Sequence, residues 1–148
     1  MKIFGMRKSL LICAAISTAC VFAVMADDVA ASKAAYIKEH MAVENLKVEG
    51  KERVLCGTVK NRGQKAVGLV RITIYFIDDK GARLLERGYN IVSVASFIRP
   101  TEPLDPDGAR DFDYYVEDYA PQGWSGKVDS EISEIKFMDE MKKEYGFF

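Results

Sequence analysis

The pattern of apolar and polar residues changes character twice along this chain. Leu10 to Met25 is an almost unbroken apolar run. After it, Ala30, Ala34, Ile37 and Met41 recur at helical spacing in a stretch free of Gly and Pro, which predicts one short amphipathic helix. Past Asn45 the period becomes two: Leu55, Gly57 and Val59 alternate with Cys56, Thr58 and Lys60, and Asn61-Arg62-Gly63-Gln64 follows as a turn. The clearest strand lies within Val67 to Asp78, with Val70, Ile72, Ile74 and Phe76 on one face and Arg71, Thr73, Tyr75 and Ile77 on the other.

Asp78-Asp79-Lys80-Gly81 has hairpin chemistry, and Leu84 to Val94 reads as the returning antiparallel strand, with Gly88 marking a bulge or bend in it. Pro100, Pro103 and Pro106 exclude a helix or central strand between Arg99 and Gly108, so that segment is a crossover loop. Arg110 to Val116 resumes alternation, with Phe112, Tyr114 and Val116 opposite Asp111, Asp113 and Tyr115. Ala120 to Gly126 is a further loop. In the last strand, Lys127 to Met138, Val128 and Ile132 share a phase that Ile135 and Phe137 reverse, which predicts a bulge or a switch between sheets between Ile132 and Ile135. The sum is an all-β, antiparallel β-sandwich preceded by one short N-terminal helix. The boundaries read from the sequence are an export segment over 1–26, a helix and linker over 27–44, the sandwich over 45–138 and a charged tail over 139–148.

The apolar run fixes a compartment. Lys2, Arg7 and Lys8 precede it and Val24-Met25-Ala26 ends it with residues suited to a cut before Asp27, the layout of a signal peptide. Cys20 follows Ser17-Thr18-Ala19 and lacks the upstream aliphatic residue of a lipoprotein site. The run also falls short of the ~20 apolar residues of a spanning helix, so the membrane is a partner only if the segment stays uncleaved. The expected location is periplasmic or secreted.

Residues 1–26 carry three of the 21 Lys and Arg and none of the 22 Asp and Glu, so removing them shifts the formal net charge from −1 to −4. The remaining basic residues are interspersed with acids, whereas nucleic-acid binding needs a clustered basic stripe. Cys13 and Cys20 leave with the segment, which strands Cys56 and rules out an intramolecular disulfide in the mature chain. A lone thiol within Val54-Leu55-Cys56-Gly57 reads as a small core or half-buried residue. His40, the single histidine, reads as a polar position on the helix, and no phosphate loop, Cys-x-x-Cys or nucleophile elbow is present. No cofactor is expected.

Two clusters remain as candidate chemistry. Tyr114, Tyr115, Tyr119 and Trp124 fall within eleven positions, where exposed rings stack on a sugar or anchor a protein, although a sandwich of this size needs some of them for its core. Asp105, Asp107, Asp111 and Asp113 open with Asp-x-Asp-Gly, which superficially resembles part of a calcium loop, but Pro106 and Phe112 do not suit that pattern. Asp111, Asp113 and Glu117 also raise a hydrolase, yet nothing in their spacing sets the carboxylate separation that chemistry needs.

Several of these segments resemble a known family. Gly57-Thr58-Val59-Lys60-Asn61-Arg62-Gly63, the apolar strand ending at Asp78 with Gly81 after it, and Leu104-Asp105-Pro106-Asp107-Gly108 before Phe112 are similar to the FxLYD domain, over roughly residues 45 to 138. At the signature itself Ile74, Phe76 and Ile77 replace the family's Phe, Leu and Tyr, and only Asp78 is retained. The resemblance implies an immunoglobulin-like extracytoplasmic module and carries no catalytic residue. The expected role is thus a non-catalytic exported module that meets an envelope or secreted protein partner, with a carbohydrate or small-ligand binder as the second reading and a hydrolase third.

Cleavage between Ala26 and Asp27 gives a direct check. Intact mass of protein recovered from its native compartment should lack residues 1 to 26, and a membrane-bound species retaining them would make the segment an anchor.

Overall fold

Six antiparallel strands form two three-stranded sheets around one core in the computed structural model of the chain, which describes residues 28–51 and 53–146. The export segment read over 1–26 lies outside the described residues, as do Phe147 and Phe148. The chain divides into two units, up to Ala35 and from Tyr36 onward, and every buried core side chain belongs to the second. A helix, α1, spans 28–40. Among the described residues no helix is long and apolar enough to cross a membrane.

The strands are β1 (Met41–Glu49), β2 (Val54–Asn61), β3 (Val67–Ile77), β4 (Arg83–Ser93), β5 (Ala109–Tyr115) and β6 (Lys127–Phe137). One sheet has the order β1-β2-β5 and the other β4-β3-β6, so β2 and β3 are central and the other four are edges. Period two places the core as the sequence predicts: Leu55 and Val59 from β2 face Val70, Ile72, Ile74 and Phe76 from β3, all without solvent exposure. Gly57 shares that inner face because the Phe112 ring lies over it, and a Cβ there would come within 2.6 Å of the ring.

Asp78 starts the hairpin between β3 and β4. Its carboxylate accepts from Lys80 N and Ala82 N at 2.8 Å each, and Gly81 takes the left-handed residue at φ 84°. The phase reversal in β6 is also present, since Arg71 pairs with Glu134 while Ile72 pairs with Ile132 and leaves Ser133 as the extra residue.

Three expectations need correction. The segment read as helix and linker over 27–44 gives way at Met41 to a strand whose phase breaks where Asn45 and Leu46 oppose Gly57 alone, with Asn45 at φ 55°. Met41 and Val43 before this bulge, and Leu46 and Val48 after it, therefore sit in opposite phases, and no continuous alternation marks the strand. Gly88 is not a bulge of β4; the extra residues are Leu84 and Ile91, and Gly88 instead leaves room for the Arg71 guanidinium, 2.4 Å from where a Cβ would stand. The charged tail over 139–148 contains a helix, α2 (Met138–Tyr145), ended by Gly146 at φ 64°. Met138 and Met141 lie against Gly68, where a Cβ would approach both within 2.8 Å, and Met141 is buried.

Asn61 closes one end of the sandwich and is the only buried polar side chain among the described residues. Its Nδ2 donates to the carbonyls of Lys65 at 2.8 Å, Asp105 at 3.1 Å and Leu104 at 3.2 Å. Its Oδ1 accepts from Gly63 N at 3.1 Å and from the Tyr36 hydroxyl at 3.0 Å. Gly63 is required beneath that phenol, because a Cβ would meet it at 2.2 Å.

Replacing Ile74 with Asp should prevent folding, since an uncompensated buried charge costs several kcal/mol of a total near 5 to 15, whereas Thr73→Ser should change little. Asn61→Ala should cost about 3 kcal/mol by leaving several buried groups unsatisfied. Urea titration followed by Trp124 fluorescence measures all three, and equal tolerance at 73 and 74 would contradict the register.

Candidate functional site

The four aromatic residues singled out from the sequence do not form one platform. Tyr114 points inward from β5, its hydroxyl donating to the Asn90 carbonyl at 2.6 Å and its ring centred 4.4 Å from that of Tyr89 on β4. This contact brings the edge strands of the two sheets together along one side of the sandwich. Trp124 closes the core: its ring meets Phe76 edge-on at 5.2 Å, and its Nε1–H donates to the Lys127 carbonyl at 2.7 Å. Tyr115 and Tyr119 remain, 58% and 49% exposed. Tyr115 alternates with Tyr114 and so lies on the opposite face of β5.

Tyr119, in a 3₁₀ turn over Glu117–Tyr119, has the Arg87 guanidinium 5.3 Å from its ring centre. Below this pair lies Tyr89, whose hydroxyl is buried without a hydrogen-bond partner among the described residues. Burial raises the phenol pKa of Tyr89, with further contributions from Tyr119 and against them from Arg87. Burial likewise raises that of Tyr114, helped by Tyr89 and Asp113. Tyr89 and Arg87 were not singled out from the sequence, although they share the phase of Leu85 on β4; only the packing of the two edges distinguishes them. The result is a surface strip of Tyr119 and Arg87 over a Tyr89–Tyr114 pair, beside two sheet edges.

The acidic residues separate by location. Asp105 and Asp107 form the turn before β5, with Gly108 N donating to the Asp105 carbonyl at 3.0 Å and Asp107 at φ 56°. Asp111 and Asp113 lie on the outer face of the first sheet, where Asp111 accepts from Thr58 Oγ1 at 2.7 Å. Together with Lys47, Glu49, Cys56 and Thr58 they line an open depression of about 490 Å³. Cys56 is a half-buried free thiol there, 3.9 Å from the Val54 carbonyl. Among the described residues no three His, Cys, Asp or Glu side chains converge on a point where a metal ion could sit.

His40 ends α1 with its ring 4.8 Å from Tyr36, and its carbonyl accepts from Arg62 N at 2.7 Å. Its surroundings are those of a helix-end polar residue. Comparison with known proteins leaves the chain to its own geometry: no family model, no curated protein and no solved structure matches it.

The buried phenols set an alkaline limit. Their folded pKa values lie above the ordinary 10.0, so the folded state holds these protons more tightly than the unfolded chain does. Stability is therefore complete below the unfolded pKa and falls as pH rises past it. Denaturant midpoints measured on both sides of about pH 10 should show this fall, and Tyr114→Phe should make it shallower. An unchanged slope in the variant would remove Tyr114 from the explanation.

Proposed function

We propose that the chain is an exported, non-catalytic binding module of immunoglobulin-like type, related in kind to the FxLYD domain, that meets an envelope protein through the side of the sandwich formed by β4 and β5. The observation that carries this reading is Tyr119 with Arg87, half-exposed above the partnerless Tyr89 hydroxyl. Tyrosine and arginine are the side chains that most often concentrate binding energy at protein interfaces, because each offers a large rigid contact area and a directional polar end. Arg83, Glu86 and Arg87 put charges on β4, which disfavours addition of a foreign strand and favours docking on side chains.

The export reading rests on the basic start, the apolar run and the small residues before Asp27. The family likeness rests on the Gly57-x-Val59-x-Asn61 strand and turn, on Asp78 with Gly81, and on the turn at Asp105 to Gly108. The sugar-binding alternative is weakened by the commitment of Trp124 to Phe76 and of the Tyr114 hydroxyl to Asn90.

A photo-crosslinking residue placed at Tyr119 in cells exporting the chain tests the surface. It should trap one envelope protein, and Arg87→Ala combined with a crosslinker at the neighbouring Glu117 should reduce that product about tenfold. A crosslinker at Asp113 should not trap it. Equal products at 119 and 113, no product at 119, or indifference to Arg87→Ala would reject the reading.

A further inference from the structure

The largest exposed apolar side chains lie elsewhere, on the loop that leaves β4. Phe97 and Ile98 are 97% and 90% exposed, while no other exposed large hydrophobic among the described residues exceeds the 58% of Tyr115. The loop is not a slack connection. Ser93 and Thr101 close its base, with Ser93 N donating to Thr101 Oγ1 at 2.8 Å and Thr101 N to the Ser93 carbonyl at 3.2 Å. Inside it, Ser96 N donates to the Ser93 carbonyl at 3.3 Å and Arg99 N to Ser96 Oγ at 3.2 Å. Two successive apolar side chains are thus held at the tip of a closed, projecting turn.

We propose that this loop is a lipid-surface wedge, in which Phe97 and Ile98 enter the headgroup and upper acyl region of a bilayer while Arg99 pairs with lipid phosphate. Three observations favour a bilayer over a protein groove. The tip is convex, and its two large side chains stand clear of the body together, whereas a groove in a protein partner fits one anchor packed within a flat rim. Arg99 makes no ion pair among the described residues, so its guanidinium is available next to the apolar tip at the depth where phosphates lie. The internal hydrogen bonds of the turn satisfy part of its backbone, as shallow burial requires, while the remainder limits insertion to the interfacial layer.

The position of the loop in the domain agrees with this assignment. Val94 N donates to the Gly68 carbonyl at 3.0 Å, and Val67 bridges to Leu104 at the far end of the crossover, so the loop projects from the end of the sandwich closed by Asn61. Met41 pairs with Asn61, so the chain comes into β1 at this same end. Met141 of α2 packs beside Val94, and Lys142 and Lys143 follow it on the exposed side of that helix. The wedge depends on the export reading only for the membrane it would meet, and it lies on a different surface from Tyr119 and Arg87.

Vesicle sedimentation tests it with the chain starting at Asp27, which contains the whole of the compact unit from Tyr36 onward and lacks the apolar run. The protein should sediment with mixed phosphatidylethanolamine and phosphatidylglycerol vesicles. Phe97→Ser with Ile98→Ser should weaken partitioning by about tenfold or more, because both apolar surfaces are lost. Arg99→Gln should weaken it several-fold more on the mixed vesicles, whose phosphatidylglycerol is net anionic, than on phosphatidylcholine vesicles, where choline offsets each phosphate. Thermal melting should be the same for all variants, since the substituted side chains touch little of the fold. Absence of partitioning by the unsubstituted protein, or partitioning indifferent to the double substitution, would overturn the proposal. So would a concentration-dependent dimer abolished by that substitution without any vesicle binding, which would make the loop a contact between copies of the chain. Loss of the Tyr119 crosslink would leave this result untouched, so the two surfaces can fail separately.

Discussion

One buried amide governs the geometry of this domain. Asn61 sits at the end of a central strand with no exposed surface, and its donors and acceptor reach the turn after β2, the crossover before β5 and the Tyr36 hydroxyl. A buried amide of this kind stabilises little in excess of the water bonds it replaces, but misplacing any partner strands polar groups away from solvent. The penalty for alternatives is what makes it specific. The crossover must pass where its Leu104 and Asp105 carbonyls can be met, which brings Leu104 down onto Val67 and fixes where β5 begins. The start of the sandwich at Tyr36 and the loop leaving β4 are consequently held at one end.

The elements that were legible in the sequence are those whose phase is unbroken or broken once in plain view. β3 alternates from Leu69 onward because it is central and one face is fully buried, with Gly68 as an extra residue that sets Val67 out of phase at its start, and the reversal in β6 is visible because Ile132 and Ile135 are both large and apolar. β1 shows the opposite case. Its bulge at Asn45 lies between short apolar pairs, and Ala42 and Met41 continue the helix-forming composition of α1, so helix and strand shade into one another. α2 was obscured by its charges: Met138, Met141 and Tyr145 are the helical stripe, but six of the eight helix residues are polar or aromatic and only the space over Gly68 shows that Met141 is buried and Met138 half-buried. Gly88 illustrates that a glycine within a strand can answer a neighbour's bulk instead of a backbone irregularity.

The candidate sites were less legible because accessibility is a property of the closed sandwich. Among clustered aromatics, composition cannot tell Trp124, spent on Phe76, from Tyr119, left in the open. Tyr89 and Arg87 are distant in sequence from that cluster and join it only because the β4 and β5 edges meet. Phe97 and Ile98 carry no periodic signal at all, since a pair of apolar residues in a proline-rich crossover looks like ordinary loop packing. Their exposure follows from the closed base at Ser93 and Thr101, a hydrogen-bond pattern with no sequence signature of its own.

The two sheet faces themselves are occupied by their own charges. On the outer face of the second sheet, Glu131 accepts from the Tyr75 hydroxyl, and Arg83 lies 3.7 Å over the Tyr75 ring while reaching Asp129 at 3.2 Å. On the first, Glu44 holds Lys60 and Arg62, which lowers its carboxyl pKa, with the Lys60 bond the largest cause, and Lys47 reaches Glu49. Such pairs add little stability at exposed positions, but each satisfies a group that a partner would otherwise have to match or desolvate. The margins differ from the faces: there, among the described residues, Arg87 and Arg99 make no ion pair, and the binding role proposed for this domain is assigned to them for that reason. Those margins hang on the Asn61 end and on the β4–β5 contact, so the residues that fix the core also decide which side chains remain free to bind.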